Sequence, residues 1–95
     1  MSAANPGRRA ALVVLVNVEE GGHAEDLLAD LAPTEVRDRG LAWHLALGVL
    51  RRQGALDAVL QPLLRQPITQ LDPPVRAALR MGVFELHHAR TPTHA

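Results

Sequence analysis

Apolar residues recur along this chain of 95 residues at spacings of three and four, in blocks set apart by glycine and proline. Such blocks predict helices. The clearest one opens at Leu71-Asp72-Pro73-Pro74. Asp72 is placed to cap a helix, and Pro73 suits the first helical position, where a missing N–H costs nothing. The helix is predicted to run to about Ala89, before Thr91-Pro92. At about 100° per residue, Val75, Leu79, Gly82 and Leu86 share one side, and Ala77, Met81 and Phe84 another. A helix apolar on two sides belongs between neighbours. This one is therefore predicted to be central, with Leu79 and Leu86 buried. Arg76, Arg80 and His87 lie between the two sides. That stripe reads either as a solvated face or as a strip facing phosphate.

Four more helices are predicted. Asn5-Pro6 repeats the cap-then-proline signal and starts the first. Leu12, Leu15 and Val16 form its apolar face, widened by Val14 and Val18, and Gly21-Gly22 ends it. Arg8 and Arg9 fall in its first turn, where the helix dipole disfavours cations unless an anion comes there. The second spans 24–32, with Leu27, Leu28 and Leu31 inward and Pro33 as its stop. The third runs from a Thr34 cap to about Gln53 and closes at Gly54. Val36, Trp43, Leu47 and Leu50 are expected to be buried, together with Ala42, Ala46 and Val49. Arg37, His44 and Arg51 repeat every seven residues on the opposite side, near Gly40 and Gly48. Each of these glycines costs roughly 1 kcal/mol against alanine, which suggests close approach by another helix or a ligand. The fourth begins near Ala55 and carries Leu56, Val59, Leu60, Leu63 and Leu64, with Pro62 as a kink or split. No strand-like alternation or internal repeat interrupts this all-α reading.

Composition narrows the core. Apolar residues make up 47% but aromatics only 2%, so Leu, Val and Ala must fill it. Cysteine is absent, which excludes disulfides, cysteine nucleophiles and thiolate metal sites within these residues. The longest apolar run, Ala10 to Val16, is too short to span a membrane. With no secretory leader pattern, the chain reads as cytoplasmic. Net charge is zero but unevenly placed. Residues 19–35 hold six acids (Glu19, Glu20, Glu25, Asp26, Asp30 and Glu35) and no base, whereas residues 36–95 hold eight arginines against four acids. All ten basic residues are arginine, an asymmetry that permits a basic patch for nucleic acid and equally fits a compositional bias of the source genome.

Catalytic and metal signatures are missing. No HExxH occurs, and His87-His88 are adjacent, so on a helix they diverge. No glycine-rich loop follows a strand. Asp57 and Asp72 read as helix-start residues rather than catalytic carboxylates.

Three blocks carry a resemblance. They are Asp38-Arg39-Gly40-Leu41-Ala42, the run from Gly48-Val49-Leu50-Arg51-Arg52 through Gln53-Gly54-Ala55-Leu56-Asp57, and the run from Leu71 to Leu86. In order and spacing they resemble the NusB-like domain. Arg51 to Asp57, Leu71 to Arg76 and Thr91-Pro92-Thr93-His94-Ala95 resemble its methyltransferase branch, the RsmB/Sun/Fmu RNA cytosine-5 methyltransferases. The resemblance implies a compact bundle of about five helices and RNA, ribosomal in this branch, as partner. It also implies that Arg8 and Arg9 occupy the arginine-rich start that contacts RNA. Arg76 and Arg80 are added as RNA-binding candidates from their shared stripe alone. The family continues with further amphipathic helices. Its methyltransferase branch adds a catalytic domain that binds S-adenosylmethionine and holds two catalytic cysteines. The chain is therefore expected to be the front of a longer protein, with no catalytic residue or cofactor site of its own, and to self-associate through uncovered apolar surface. Two other readings stand beside this one: a free-standing antitermination-type factor, and a structural helical domain that touches no RNA.

Overall fold

The Asn5 side chain accepts the Arg8 backbone N–H at 3.0 Å, so the first cap forms as its sequence signal predicts. Pro6 then takes the first position of α1 (Pro6–Glu19). A computed structural model of the protein describes residues 5–90, and the Thr91 to Ala95 block lies outside the described residues. α1 is followed by α2 (Ala24–Leu31), α3 (Val36–Arg51), α4 (Gln53–Leu60) and α5 (Pro73–Arg90). The described residues include no strand. Gly21 turns the chain after α1 with φ of 104°, a conformation that only glycine adopts without strain.

Some boundaries differ from the sequence reading. Glu35, not Thr34, caps α3, its Oε1 accepting the Asp38 N–H at 2.9 Å. α3 stops at Arg51, and Gly54 lies inside α4 rather than closing α3. Pro62 does split the fourth segment, sitting in a 3-10 turn over Gln61–Leu63. The Gln61 side chain then braces the connection. It donates to the Gln66 carbonyl at 3.0 Å and accepts the Ile68 N–H at 2.9 Å. Asp72 stands at the start of α5 and its carbonyl accepts the Arg76 N–H at 2.9 Å. No hydrogen bond to its carboxylate occurs among the described residues, so the expected side-chain cap is not made.

The core is built from small aliphatic residues: Ala11, Val14 and Leu15 of α1 against Ala42, Leu45, Ala46 and Val49 of α3. α1 and α3 approach closely at Gly7, where a Cβ would come within 2.7 Å of the Asp38 carbonyl oxygen. α5 packs against α1, α3 and α4, but α3 meets all four other helices and forms the largest interface, with α1, so α3 rather than the expected α5 is central. The buried side of α5 is Ala77, Met81 and Phe84, joined by Arg80.

The opposite side corrects an expectation. Val75 is 48% and Leu86 66% exposed, and Leu79 is only half-buried. Both sides of α5 are apolar, but the described neighbours cover just one. Leu31 and Val36, expected inside, also face solvent, because each sits at a helix end beyond the packed crossing. Of the two glycines in α3, Gly48 meets Phe84 and Gly40 meets nothing.

Candidate nucleic-acid interface

The four candidate arginines separate into two groups. Arg8 and Arg9 lie at the N-terminal end of α1. The Arg8 guanidinium makes a fork on Glu85 of α5, with Nε 3.0 Å from Oε2 and Nη2 2.6 Å from Oε1. The hydrogen bond to Glu85 holds the Arg8 pKa above its ordinary value. Both side chains are about a third exposed, at 36% and 30%, so the pair remains within reach of solvent ions. Arg9 is exposed and lines a shallow groove with Pro6, Val13 and Leu31.

Arg76 and Arg80 lie elsewhere. Both reach Glu19, which is eleven residues from Arg8, roughly 16 Å along a helix axis. Arg76 grips the Glu19 carboxylate and also donates to the carbonyls of Leu71 at 2.6 Å and Ile68 at 3.1 Å. It thereby ties the connection before α5 to the end of α1. The Arg76 hydrogen bond, more than any other contact, lowers the Glu19 pKa against the opposing effect of burial. Arg80 holds Asp57 of α4 through two bonds, Nε to Oδ1 at 2.7 Å and Nη2 to Oδ2 at 2.8 Å. Its third arm reaches Glu19 at 3.3 Å. The Arg80 side chain is only 8% exposed.

The two arginines of the α5 stripe are both paired with acids from α1 and α4, Arg76 with Glu19 at the surface and Arg80 with Asp57 in a partly buried fork. Asp57 is likewise a partner for Arg80 in the middle of α4, not a helix-start residue. Sequence reading missed Glu19, Asp57 and Glu85 because each meets its arginine across a long stretch of chain, and no local spacing marks such pairs.

A second feature lies between α3 and α5. An open cleft of about 590 Å³ is lined by Trp43, His44, Arg51, Arg52, Phe84 and His88. Phe84 reaches into the space left by Gly48, and a Cβ there would come within 2.2 Å of its ring. The His44 and His88 rings flank Phe84, with centroids 5.2 and 4.3 Å away. His88 Nδ1 is shut off from solvent and has no hydrogen-bond partner among the described residues. A buried polar atom left unpaired costs about 1–3 kcal/mol. Arg51 and Arg52 are exposed and make no side-chain hydrogen bond or ion pair among the described residues. They sit at the C-terminal end of α3, where the helix dipole favours cations. Of the seven-residue repeat of Arg37, His44 and Arg51, the last two line this cleft beside Gly48 and Arg37 does not. No group of three or more potential metal ligands occurs among the described residues, and no described helix is long and apolar enough to cross a membrane.

Comparison with known proteins adds to this geometry. The model of the NusB family matches residues 5–95. A "Ribosomal RNA small subunit methyltransferase B" of Pseudomonas syringae pv. tomato is 39% identical over 93 residues, covering 96% of this chain and 20% of that protein. The protein of the same name from Thermus thermophilus is 43% identical, covering 100% of this chain and 24% of its own length. A "Transcription antitermination protein NusB" of Halorhodospira halophila is 40% identical over 68 residues, covering 70% of this chain and 44% of that protein. The chain thus spans about a fifth to a quarter of these two methyltransferases. No solved structure matches it.

Proposed function

The chain belongs to the NusB family, and from this we propose that it is a non-catalytic RNA-binding domain of a longer ribosomal RNA (cytosine-5) methyltransferase. The observation that carries the reading is the match of methyltransferases over nearly all of this chain but a small part of their own length. In this reading the domain holds ribosomal RNA in the cytoplasm while methyl transfer takes place in the remainder of the protein. S-adenosylmethionine would supply the methyl group there. This reading assigns no part of the S-adenosylmethionine site to the 95 residues.

Arg8 and Arg9 remain the first choice for RNA contact. The backbone N–H groups at the start of α1 add donors for phosphate. Arg76 and Arg80 are poorer candidates: Arg8 is paired with an acid as they are, but the Arg76 and Arg80 side chains are only 11% and 8% exposed against 36% for Arg8. The outer side of α5, with Val75, Leu79 and Leu86, is a seat for the following part of the longer protein. When the 95 residues stand alone, that side drives self-association.

The match to an antitermination protein favours a second reading, a free-standing factor that binds RNA together with a ribosomal protein. A titration of the domain against a structured ribosomal RNA fragment at low and rising salt tests the main reading. Binding that weakens steeply with salt is expected. A need for a ribosomal protein to obtain any binding would favour the antitermination reading. Absence of binding at low salt would leave a purely structural helical domain.

A further inference from the structure

The cleft between α3 and α5 is not used by either arginine group above. Its volume of about 590 Å³ lies within the range of roughly 300–1,000 Å³ usual for small-ligand sites. Its lining joins two chemistries. The first is a ring cluster, with His44, Phe84 and His88 mutually in contact and Trp43 beside them. The second is a pair of adjacent arginines, Arg51 and Arg52, that no acid among the described residues neutralises. Flat rings accept the face of a base, and unpaired guanidinium groups accept phosphate. An ordered duplex hides its base faces, so a site of this kind suits a nucleotide outside a duplex. The cleft also lies within one turn of α5 of the first RNA candidate. Glu85, which holds Arg8, and His88, which lines the cleft, are three residues apart and neighbours on one face of α5.

We infer that the α3–α5 cleft receives one unpaired nucleotide of the bound RNA, with its base against the open rings of His44 and Trp43, backed by Phe84, and its phosphate on Arg51 and Arg52. This rests on the RNA-binding reading above. Trp43 is the one tryptophan of the chain, so its emission reports on the cleft alone. The probes are a six-nucleotide single-stranded RNA, the same sequence as a duplex, and inorganic phosphate. Overall RNA binding is followed separately by anisotropy of a labelled strand. The single strand should quench Trp43, while duplex and phosphate leave its emission unchanged. In the double variant Arg51→Ala, Arg52→Ala the quenching should need roughly tenfold more RNA, with an unchanged thermal melt. Binding seen by anisotropy without any change in Trp43 emission overturns the cleft and leaves the RNA reading in place. Equal quenching by phosphate alone, or an unaltered affinity in the double variant, also overturns it. No anisotropy change with any RNA overturns the cleft and the RNA reading together.

Discussion

Gly48 of α3 and Phe84 of α5 compete for one space: a Cβ on Gly48 would stand 2.2 Å from Phe84 Cζ. Gly48→Ala gains up to about 1 kcal/mol in helix propensity. Overpacking a filled core costs about 1–3 kcal/mol, and Phe84 is only 2% exposed and flanked by the His44 and His88 rings. The loss should win, leaving a net destabilisation of about 1–2 kcal/mol in urea unfolding. Adding Phe84→Leu should shrink the penalty of Gly48→Ala. An equal penalty in both backgrounds would show that the ring does not cause it.

Removing Arg80 leaves the Asp57 carboxylate without its two bonds and Glu19 without one. Breaking a buried pair from one side costs about 3–5 kcal/mol, and Asp57 is 26% exposed, so the low end applies. Arg80→Met should therefore destabilise by about 3 kcal/mol. Combining it with Asp57→Leu should recover much of the loss, giving a coupling measurable in a double-mutant cycle. Arg80→Lys should not restore stability, because an ammonium lacks the planar fork. Strict additivity of the two single variants would count against the pair.

Glu19 gives the domain an acid-sensitive joint. Its folded pKa lies below the ordinary 4.5, chiefly through the Arg76 hydrogen bond. The stabilisation is fully present above the unfolded value and is lost as pH falls through the folded one. Unfolding free energies measured from pH 7 down to pH 3 should drop at the acid end. Glu19→Gln should lower stability at pH 7 and flatten that decline. A parallel acid limb in the variant would remove Glu19 from its cause.

On the RNA side, Arg8→Ala with Arg9→Ala should weaken binding across sequences and reduce the salt slope by up to about two phosphate contacts. Arg8 is tied to Glu85, so the melt should also fall slightly, within the roughly 0–1 kcal/mol of a partly exposed pair. Glu85→Gln supplies the opposite sign. It releases Arg8 for phosphate and should tighten RNA binding by up to about fivefold. Weaker binding in Glu85→Gln would mean that the Arg8–Glu85 pair itself shapes the site.

The outer side of α5 makes a separate prediction. Sedimentation velocity of the 95-residue chain should show concentration-dependent association. Leu86→Glu, at a position 66% exposed, should shift it toward monomer without lowering the melting temperature. A wild-type chain monomeric at high concentration would sink the idea.

The five helices were legible because their signals are local. Asn5-Pro6 and Pro73 mark starts, and Gly21 and Pro62 mark ends. The buried side of α5 was not legible. Periodicity shows that Ala77, Met81 and Phe84 share a side, and that Val75, Leu79 and Leu86 share another. Which side turns inward depends on where α1, α3 and α4 stand, and that information is not local. The same limit hid the fate of Arg76 and Arg80. An arginine stripe looks alike whether it meets water, phosphate or Glu19 and Asp57 from distant parts of the chain. The cleft was half-visible: Gly48 pointed to a close approach, but nothing in the spacing named Phe84 as what approaches.

The Arg80 junction has a consequence for how the domain opens. One guanidinium links α1 through Glu19 and α4 through Asp57, from a position on α5. α4 has only eight residues, too few to persist as an isolated helix in water. It cannot peel away without stranding the charge that also secures the end of α1. Amide hydrogen exchange in the middle of α4 should therefore keep pace with the slowest amides of α1 and α5, rather than with those of a fraying segment. The eight residues of α4 are thereby expected to share the lifetime of the whole bundle.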